Sequence, residues 1–161
     1  MQALTPDDVQ AALQKLGLDI TMIFFDNSTA TSQQAADEIG CELGQIVKSL
    51  AFIVNGQQPV TVLASGDQRV DERKLAALYN VGRKKVKAAT AEQCVEIWGY
   101  APGGVPPLGH RTPDLPVYLD DSLQRYTQLY AAGGAHNAIF PVTLAQLVMM
   151  TGGTFMDIKR E

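Results

Sequence analysis

The chain has 161 residues, 46% of them apolar and 19% charged, which is enough to bury a real core and too apolar for extensive disorder. A net charge of −4 gives no bulk attraction for nucleic acid, and no apolar run nears the ~20 residues of a membrane span. Acids come early in MQALTPDDVQAALQKLG and no basic-then-apolar signal is present, so the expected location is cytoplasmic.

Thr5-Pro6-Asp7-Asp8 reads as a helix start, with Thr5 as cap, Pro6 in the first turn and two acids at the positive end. Val9, Leu13 and Leu16 follow at helical spacing, and Gly17 ends the element. A short strand over 21–25 and a polar loop, Asp26-Asn27-Ser28-Thr29, precede a second helix over 31–39 that Gly40 stops.

The run Ile46–Val54, IVKSLAFIV, has seven apolar residues in nine and reads as a strand. Alternation puts Ile46, Lys48, Leu50, Phe52 and Val54 on one face and Val47, Ser49, Ala51 and Ile53 on the other. An ammonium group therefore shares a face with four large hydrophobes. Two readings stand: a lysine that snorkels past apolar surface, or one held at a pocket mouth to meet a phosphate, a carboxylate or a developing oxyanion.

Asn55-Gly56 signals a hairpin returning through 59–64. Asp71 caps a helix to Tyr79, the basic segment 83–87 enters a short strand, and Thr90 caps a helix through Trp98. Gly99 to Pro116 holds four glycines and five prolines and is neither helix nor long strand. Short strands follow around 116–120, 126–131 and 138–141, then a helix from Thr143 to Met150 and a closing strand over 154–158. Helices scattered among hairpin-linked strands favour one α+β domain over 1–161, with a mixed, mostly antiparallel sheet or partial barrel and helices around it.

No nucleophile elbow, Walker loop, zinc-protease or dinucleotide motif occurs. Cys41 and Cys94 form no CxxC pair, and with His110 and His136 their spacings fit no zinc site, so free structural thiols and no metal are expected. A Cys94–His136 dyad is outweighed by the amphipathic helix that makes Cys94 a core thiol. From Arg69 to Lys87 seven basic residues (Arg69, Arg73, Lys74, Arg83, Lys84, Lys85, Lys87) face Asp71 and Glu72, a local balance of +5. That stretch is either a solvated helix and turn or a contact for a phosphate backbone.

Two glycine-rich segments stand beside the Lys48 strand. In GYAPGGVPPLG (99–109), paired glycines let a backbone approach a ligand while prolines stiffen the loop. In AAGGAHN, His136 follows a Gly133-Gly134 turn and reads as a base, a donor or a loop residue.

Taken in this order, STATSQQAADEIGCELGQIVKSLAFIV, GYAPGGVPPLGH and AAGGAHNAIF resemble the YbaK/prolyl-tRNA-synthetase-associated domain family, comprising the editing insertion domain of bacterial prolyl-tRNA synthetases and related free-standing deacylases. The resemblance covers nearly the whole chain and implies a pseudo-barrel of mostly antiparallel strands with surrounding helices. It implies hydrolysis of the ester joining a wrong amino acid to a tRNA 3′ end, without metal or cofactor. Lys48 matches the signature lysine, expected at the phosphate or ester. Gly103, Gly104, Val105, Pro106 and Pro107 match the loop that positions the aminoacyl group and water. Ser49 matches a position expected to tune which side chain fits, and Gly133, Gly134 and His136 match a third pocket wall. The basic stretch becomes a candidate contact for the acceptor stem, and a prolyl-tRNA synthetase a candidate partner.

On these grounds the chain is expected to be a trans-editing deacylase of mischarged, prolyl-type tRNA. The alternative is a non-catalytic module that binds tRNA ends or nucleotides and regulates a synthetase, and a third reading is a hydrolase of small aminoacyl esters. The sequence leaves open the amino acid removed and the oligomeric state.

Overall fold

A computed structural model describes residues 1–161. Five helices, α1 (Pro6–Lys15), α2 (Ser32–Ile39), α3 (Glu72–Leu78), α4 (Ala91–Gln93) and α5 (Leu144–Thr151), surround eight strands. The strands are β1 (Ile23–Phe24), β2 (Ile46–Val54), β3 (Gln58–Ser65), β4 (Val86–Ala88), β5 (Val117–Asp120), β6 (Gln128–Ala132), β7 (Ala138–Thr143) and β8 (Thr154–Met156). No helix is long and apolar enough to cross a membrane.

The helix starts follow the chemistry read from the sequence. Thr31, Asp71, Thr90 and Thr143 each accept an amide of the first turn, and Gln34, Gln93 and Gln146 reach back to their cap residues as capping boxes. Pro6 opens α1 as expected, although Leu16 lies beyond its end and is exposed. The helix expected to reach Trp98 changes pitch at Cys94, and Cys94–Trp98 is a π-turn ending at Gly99. Both cysteines are free.

All eight strands join one sheet, ordered β1-β7-β6-β2-β3-β5-β8, with β4 also on β2. Pairs β1–β7, β2–β3, β2–β4 and β6–β7 are antiparallel, while β2–β6, β3–β5 and β5–β8 are parallel. The mixed, mostly antiparallel sheet expected from the sequence is present. It stays open, with β1 and β8 at the ends of this order and β4 as a further edge beside β2. The hairpin at Asn55-Gly56 puts both residues at positive φ, +55° and +72°, as a type I′ turn requires, and fixes the β2–β3 register from Val47↔Ser65 to Val54↔Gln58.

That register sends the two faces of β2 into different cores. Val47 and Ile53 join the larger core with Leu63, Trp98, Leu129 and Phe140. Phe52 and Val54 enter a second core with Val60, Val62, Leu75 and Val86, and Leu50 packs against it. Ile46 belongs to a small cluster with Ala35, Ala36 and Ile139 beneath α2. Lys48 thus sits between two apolar clusters, where the alternation placed it.

A buried carboxylate ties down the C-terminal segment. Asp120 accepts the amides of Ser122, Ile158 and Lys159 at 3.0, 2.9 and 3.1 Å. Burial pushes its pKa up, but these amides and Lys159 outweigh that and hold it below the ordinary carboxylate value.

Candidate functional site

The middle of β2 forms the floor of a cleft of ≈ 240 Å³. Ile46 to Leu50 supply one side, Thr29 to Ser32 and Ala35 of the α2 entrance a second, Gly103 and Val105 a third, and Tyr130 to Ala132 with Ile139 a fourth. The strand, the proline-glycine loop and the end of β6, far apart in sequence, meet here.

Lys48 is half-buried, and its ammonium donates to the main-chain carbonyl of Gln68 in the turn after β3. Burial pulls its pKa below the ordinary lysine value, Asp67 works against that, and Arg69 adds to it. Asp67 is itself held by Arg125 through a two-pronged contact at 2.7 and 3.0 Å, and the Arg125 guanidinium lies 5.2 Å over the Tyr126 ring. The turn that receives Lys48 is therefore fixed from behind.

Gly103 adopts φ +89°, and a side chain there would come within 3.0 Å of the Ala30 Cβ. Glycine is needed for both the backbone angle and the close approach. Gly104 is buried, and a Cβ on it would stand 2.9 Å from the Ala135 backbone nitrogen. The Gly134 amide donates to the Gly104 carbonyl at 3.0 Å, so the two glycine-rich segments brace each other. Gly103 and Val105 line the cleft, whereas Gly104, Pro106 and Pro107 are buried outside its wall. His110 secures the loop from the far side, its Nε2 lying 2.7 Å from the Pro106 carbonyl oxygen. An acceptor there requires the Nε2–H tautomer. Burial lowers the His110 pKa, although the Pro106 contact opposes this.

Gly133, Gly134 and His136 do not border the cleft themselves. The His136 residue is exposed, while its carbonyl accepts the Thr29 amide at 2.6 Å and the Thr29 hydroxyl at 3.2 Å. His136 thereby fixes the segment 29–32 that forms the second wall. That wall and the Gln68 carbonyl carry no residue type that advertises a site, and the cue for the wall was the polar Asn27-Ser28-Thr29 loop before a capped helix.

The basic stretch divides. Arg69 is exposed beside Lys48. Arg73, Lys74 and Arg83 border a separate, wholly charged cleft of ≈ 530 Å³ with Asp71, Glu72, Arg160 and Glu161. There Lys74 meets Asp157 at 2.9 Å, Arg160 meets Glu72 at 3.2 Å, and Arg83 and Arg73 stand 3.9 Å from Glu72 and Asp71. Lys84, Lys85 and Lys87 are exposed around the start of β4.

The site thus offers one lysine, a rigid backbone loop and largely apolar walls, with no nucleophilic triad. Such a set suits an already activated substrate, where positioning and stabilisation of developing negative charge supply the rate.

A family model described as the aminoacyl-tRNA editing domain matches residues 26–149. The uncharacterised protein YwhH of Bacillus subtilis is 35% identical over 123 residues, 76% of each chain. The proposed Cys-tRNA(Pro)/Cys-tRNA(Cys) deacylase EbsC of Enterococcus faecalis is 28% identical over 128 residues, 80% of this chain and 76% of that one. Among solved structures, a proposed trans-editing enzyme for prolyl-tRNA synthetase matches over 100% of both chains, with a TM-score of 0.89 and 38% identity. The chain belongs to the aminoacyl-tRNA editing domain family, whose reaction is hydrolysis of the aminoacyl-tRNA ester bond.

Proposed function

We propose that this chain edits in trans, removing a small non-cognate amino acid from prolyl-type tRNA, and that the cleft over Lys48 is where the ester is cut. The carrying observation is the convergence of Lys48 with Gly103 and Val105 around a space of ≈ 240 Å³ whose walls include Ala30, Ala35, Ala131 and Ala132. The limited volume suits a small side chain, and the names borne by EbsC and by the trans-editing homologue point to tRNA(Pro) and prolyl-tRNA synthetase.

In this reading Lys48 holds the acceptor end, through its terminal phosphate or the ester region, while Gly103 positions the acyl group and water and Gly104 braces it from behind. Water oxygen bonds to the ester carbonyl carbon, and the tetrahedral intermediate collapses with cleavage of the carbon–oxygen bond to ribose. The ribose oxygen takes the proton that water gives up, leaving a free amino acid and uncharged tRNA. His136 contributes through its carbonyl, by fixing Thr29. The exposed Arg69, Lys84, Lys85 and Lys87 are the better candidates for acceptor-stem contact, because Arg73, Lys74 and Arg83 already lie beside carboxylates.

The test is ester loss from a panel of tRNA(Pro) charged with alanine, cysteine, serine or threonine, each followed with the intact tRNA and with a 3′-terminal aminoacyl-nucleoside. Turnover that needs the tRNA body supports the reading. Turnover of the nucleoside ester alone identifies a small-ester hydrolase, and salt-dependent tRNA binding without turnover identifies a binding module.

A further inference from the structure

β2 is covered unequally on its two edges. β3 pairs with it from Val47 to Val54, but the opposite edge is met by β6 at Ile46 and Val47 and by β4 from Phe52 to Val54. Between these two ladders, residues 48–51 face no strand, and they are the four half-exposed positions of an otherwise buried strand.

The hydrogen-bond alternation fixes which groups stand in that gap. The Gly66 amide donates to the Ile46 carbonyl on the β3 edge at 2.8 Å, and the Ala89 amide donates to the Ala51 carbonyl on the other edge at 2.9 Å. Successive residues alternate direction, so Lys48 and Leu50 address β3, while Val47, Ser49 and Ala51 address the broken edge. Val47 lies in the β6 ladder and the Ala51 carbonyl is taken by Ala89. Neither ladder reaches Ser49, whose N–H and C=O stand side by side at the cleft.

An aminoacyl ester carries the complementary pair. In its extended form the α-amino group and the carbonyl oxygen point the same way, as in any strand residue, and two residues facing each other in an antiparallel ladder can exchange both hydrogen bonds. We infer that the aminoacyl group docks as a one-residue antiparallel strand on Ser49, its α-amino group donating to the Ser49 carbonyl and its ester carbonyl accepting from the Ser49 amide. This rests on the cleft being the ester site. It makes strand addition, a mode familiar from peptide recognition, the way a single amino acid is held.

Two consequences follow. The Ser49 amide meets the oxygen on which negative charge develops as water adds, so it acts as an oxyanion donor. Facing residues in an antiparallel pair also project their side chains to the same face. The side chain of an L-amino acid therefore falls on the Ser49 side, over the face in which the Ser49 hydroxyl is buried. Recognition is then of an L-α-aminoacyl ester with a free amino group, whose side chain lies on the face of β2 that carries the Ser49 side chain.

The test uses the full chain and the best-hydrolysed aminoacyl-tRNA of the panel, against tRNA bearing the corresponding acyl group without its amine. Each rate is divided by the spontaneous rate of that ester. The enhancement is expected to fall at least about tenfold for the des-amino ester. A protein with the Lys48–Ser49 amide replaced by a backbone ester, which deletes the Ser49 N–H, should lose about 10²-fold in kcat with little change in KM. The same replacement at Ile53, whose amide faces the β4 ladder, should lower the thermal midpoint without that loss in kcat. Equal enhancement for both esters, or an unchanged kcat for the Ser49 backbone ester, overturns the docking mode and leaves the ester site standing. Failure to hydrolyse any aminoacyl-tRNA overturns both.

Discussion

The Gly134 amide donates to the Gly104 carbonyl at 3.0 Å, joining two glycine pairs that lie thirty residues apart in the chain. Gly104 is packed against the Ala135 backbone so closely that a Cβ would sit 2.9 Å from its nitrogen. The loop beside the cleft and the turn behind it therefore form one rigid unit, and neither can shift alone.

Gly104→Ala must push these two segments apart. Overpacking against main chain costs about 1–3 kcal/mol. The variant is expected to fold with a lowered thermal midpoint and to lose more than tenfold in deacylation, because a displacement of about 1 Å at a positioning group can cost that much or more. Calorimetry together with a single-turnover assay checks both parts.

His110 holds the same loop through the Pro106 carbonyl at 2.7 Å. His110→Ala leaves that carbonyl without its donor at a cost of about 1–3 kcal/mol and frees the loop. The expected result is a fall in kcat larger than the change in KM, measured on one aminoacyl-tRNA at saturating and limiting concentrations.

Lys48 governs the alkaline side of the pH profile. Burial, the larger cause, lowers its pKa from 10.5 and Asp67 opposes it only in part, so the ammonium loses its proton at a lower pH than a free lysine does. The enhancement over spontaneous hydrolysis should be flat near neutrality and fall as pH rises toward that value. Asp67→Asn removes the opposing carboxylate and should move the fall to lower pH. Rates of wild type and variant across the alkaline range, each divided by the uncatalysed rate, check the direction.

Asp120 governs stability in acid. Its folded pKa is depressed below the ordinary value of 3.8, so its contribution is fully present above that value and is lost as pH falls through the folded pKa. Asp120→Ala strips three amides of their acceptor and should cost about 2–4 kcal/mol at neutral pH, with a stability curve flatter than wild type below about pH 4. Denaturant unfolding at several pH values checks both.

Much of this arrangement is legible in the chain because it is local. The capped helices, the Asn55-Gly56 hairpin and the alternation that aims Lys48 between apolar neighbours follow from a few adjacent residues each. The broken edge of β2 does not, because it depends on where β6 stops and β4 begins, two strands drawn from distant parts of the chain. The Gln68 carbonyl that receives Lys48 is main chain and leaves no trace in residue type. The +5 of the basic stretch was legible as a count, but its distribution was not. Lys74 is answered by Asp157, 83 positions onward, through the Val70↔Lys159 bridge that brings the C-terminus alongside α3. His136 shows the same limit, since its carbonyl faces Thr29 and its imidazole does not border the cleft.

The central claim is that Lys48, at the mouth of the β2 cleft, serves ester hydrolysis and not the fold. Single-turnover deacylation of mischarged tRNA(Pro) by wild type and Lys48→Ala, with thermal midpoints measured alongside, tests it most directly. The account predicts a loss of about 10²-fold or more with a midpoint within a few degrees of wild type, because one half-buried cation is removed and no core cavity opens. Hydrolysis by Lys48→Ala at the wild-type rate would contradict it.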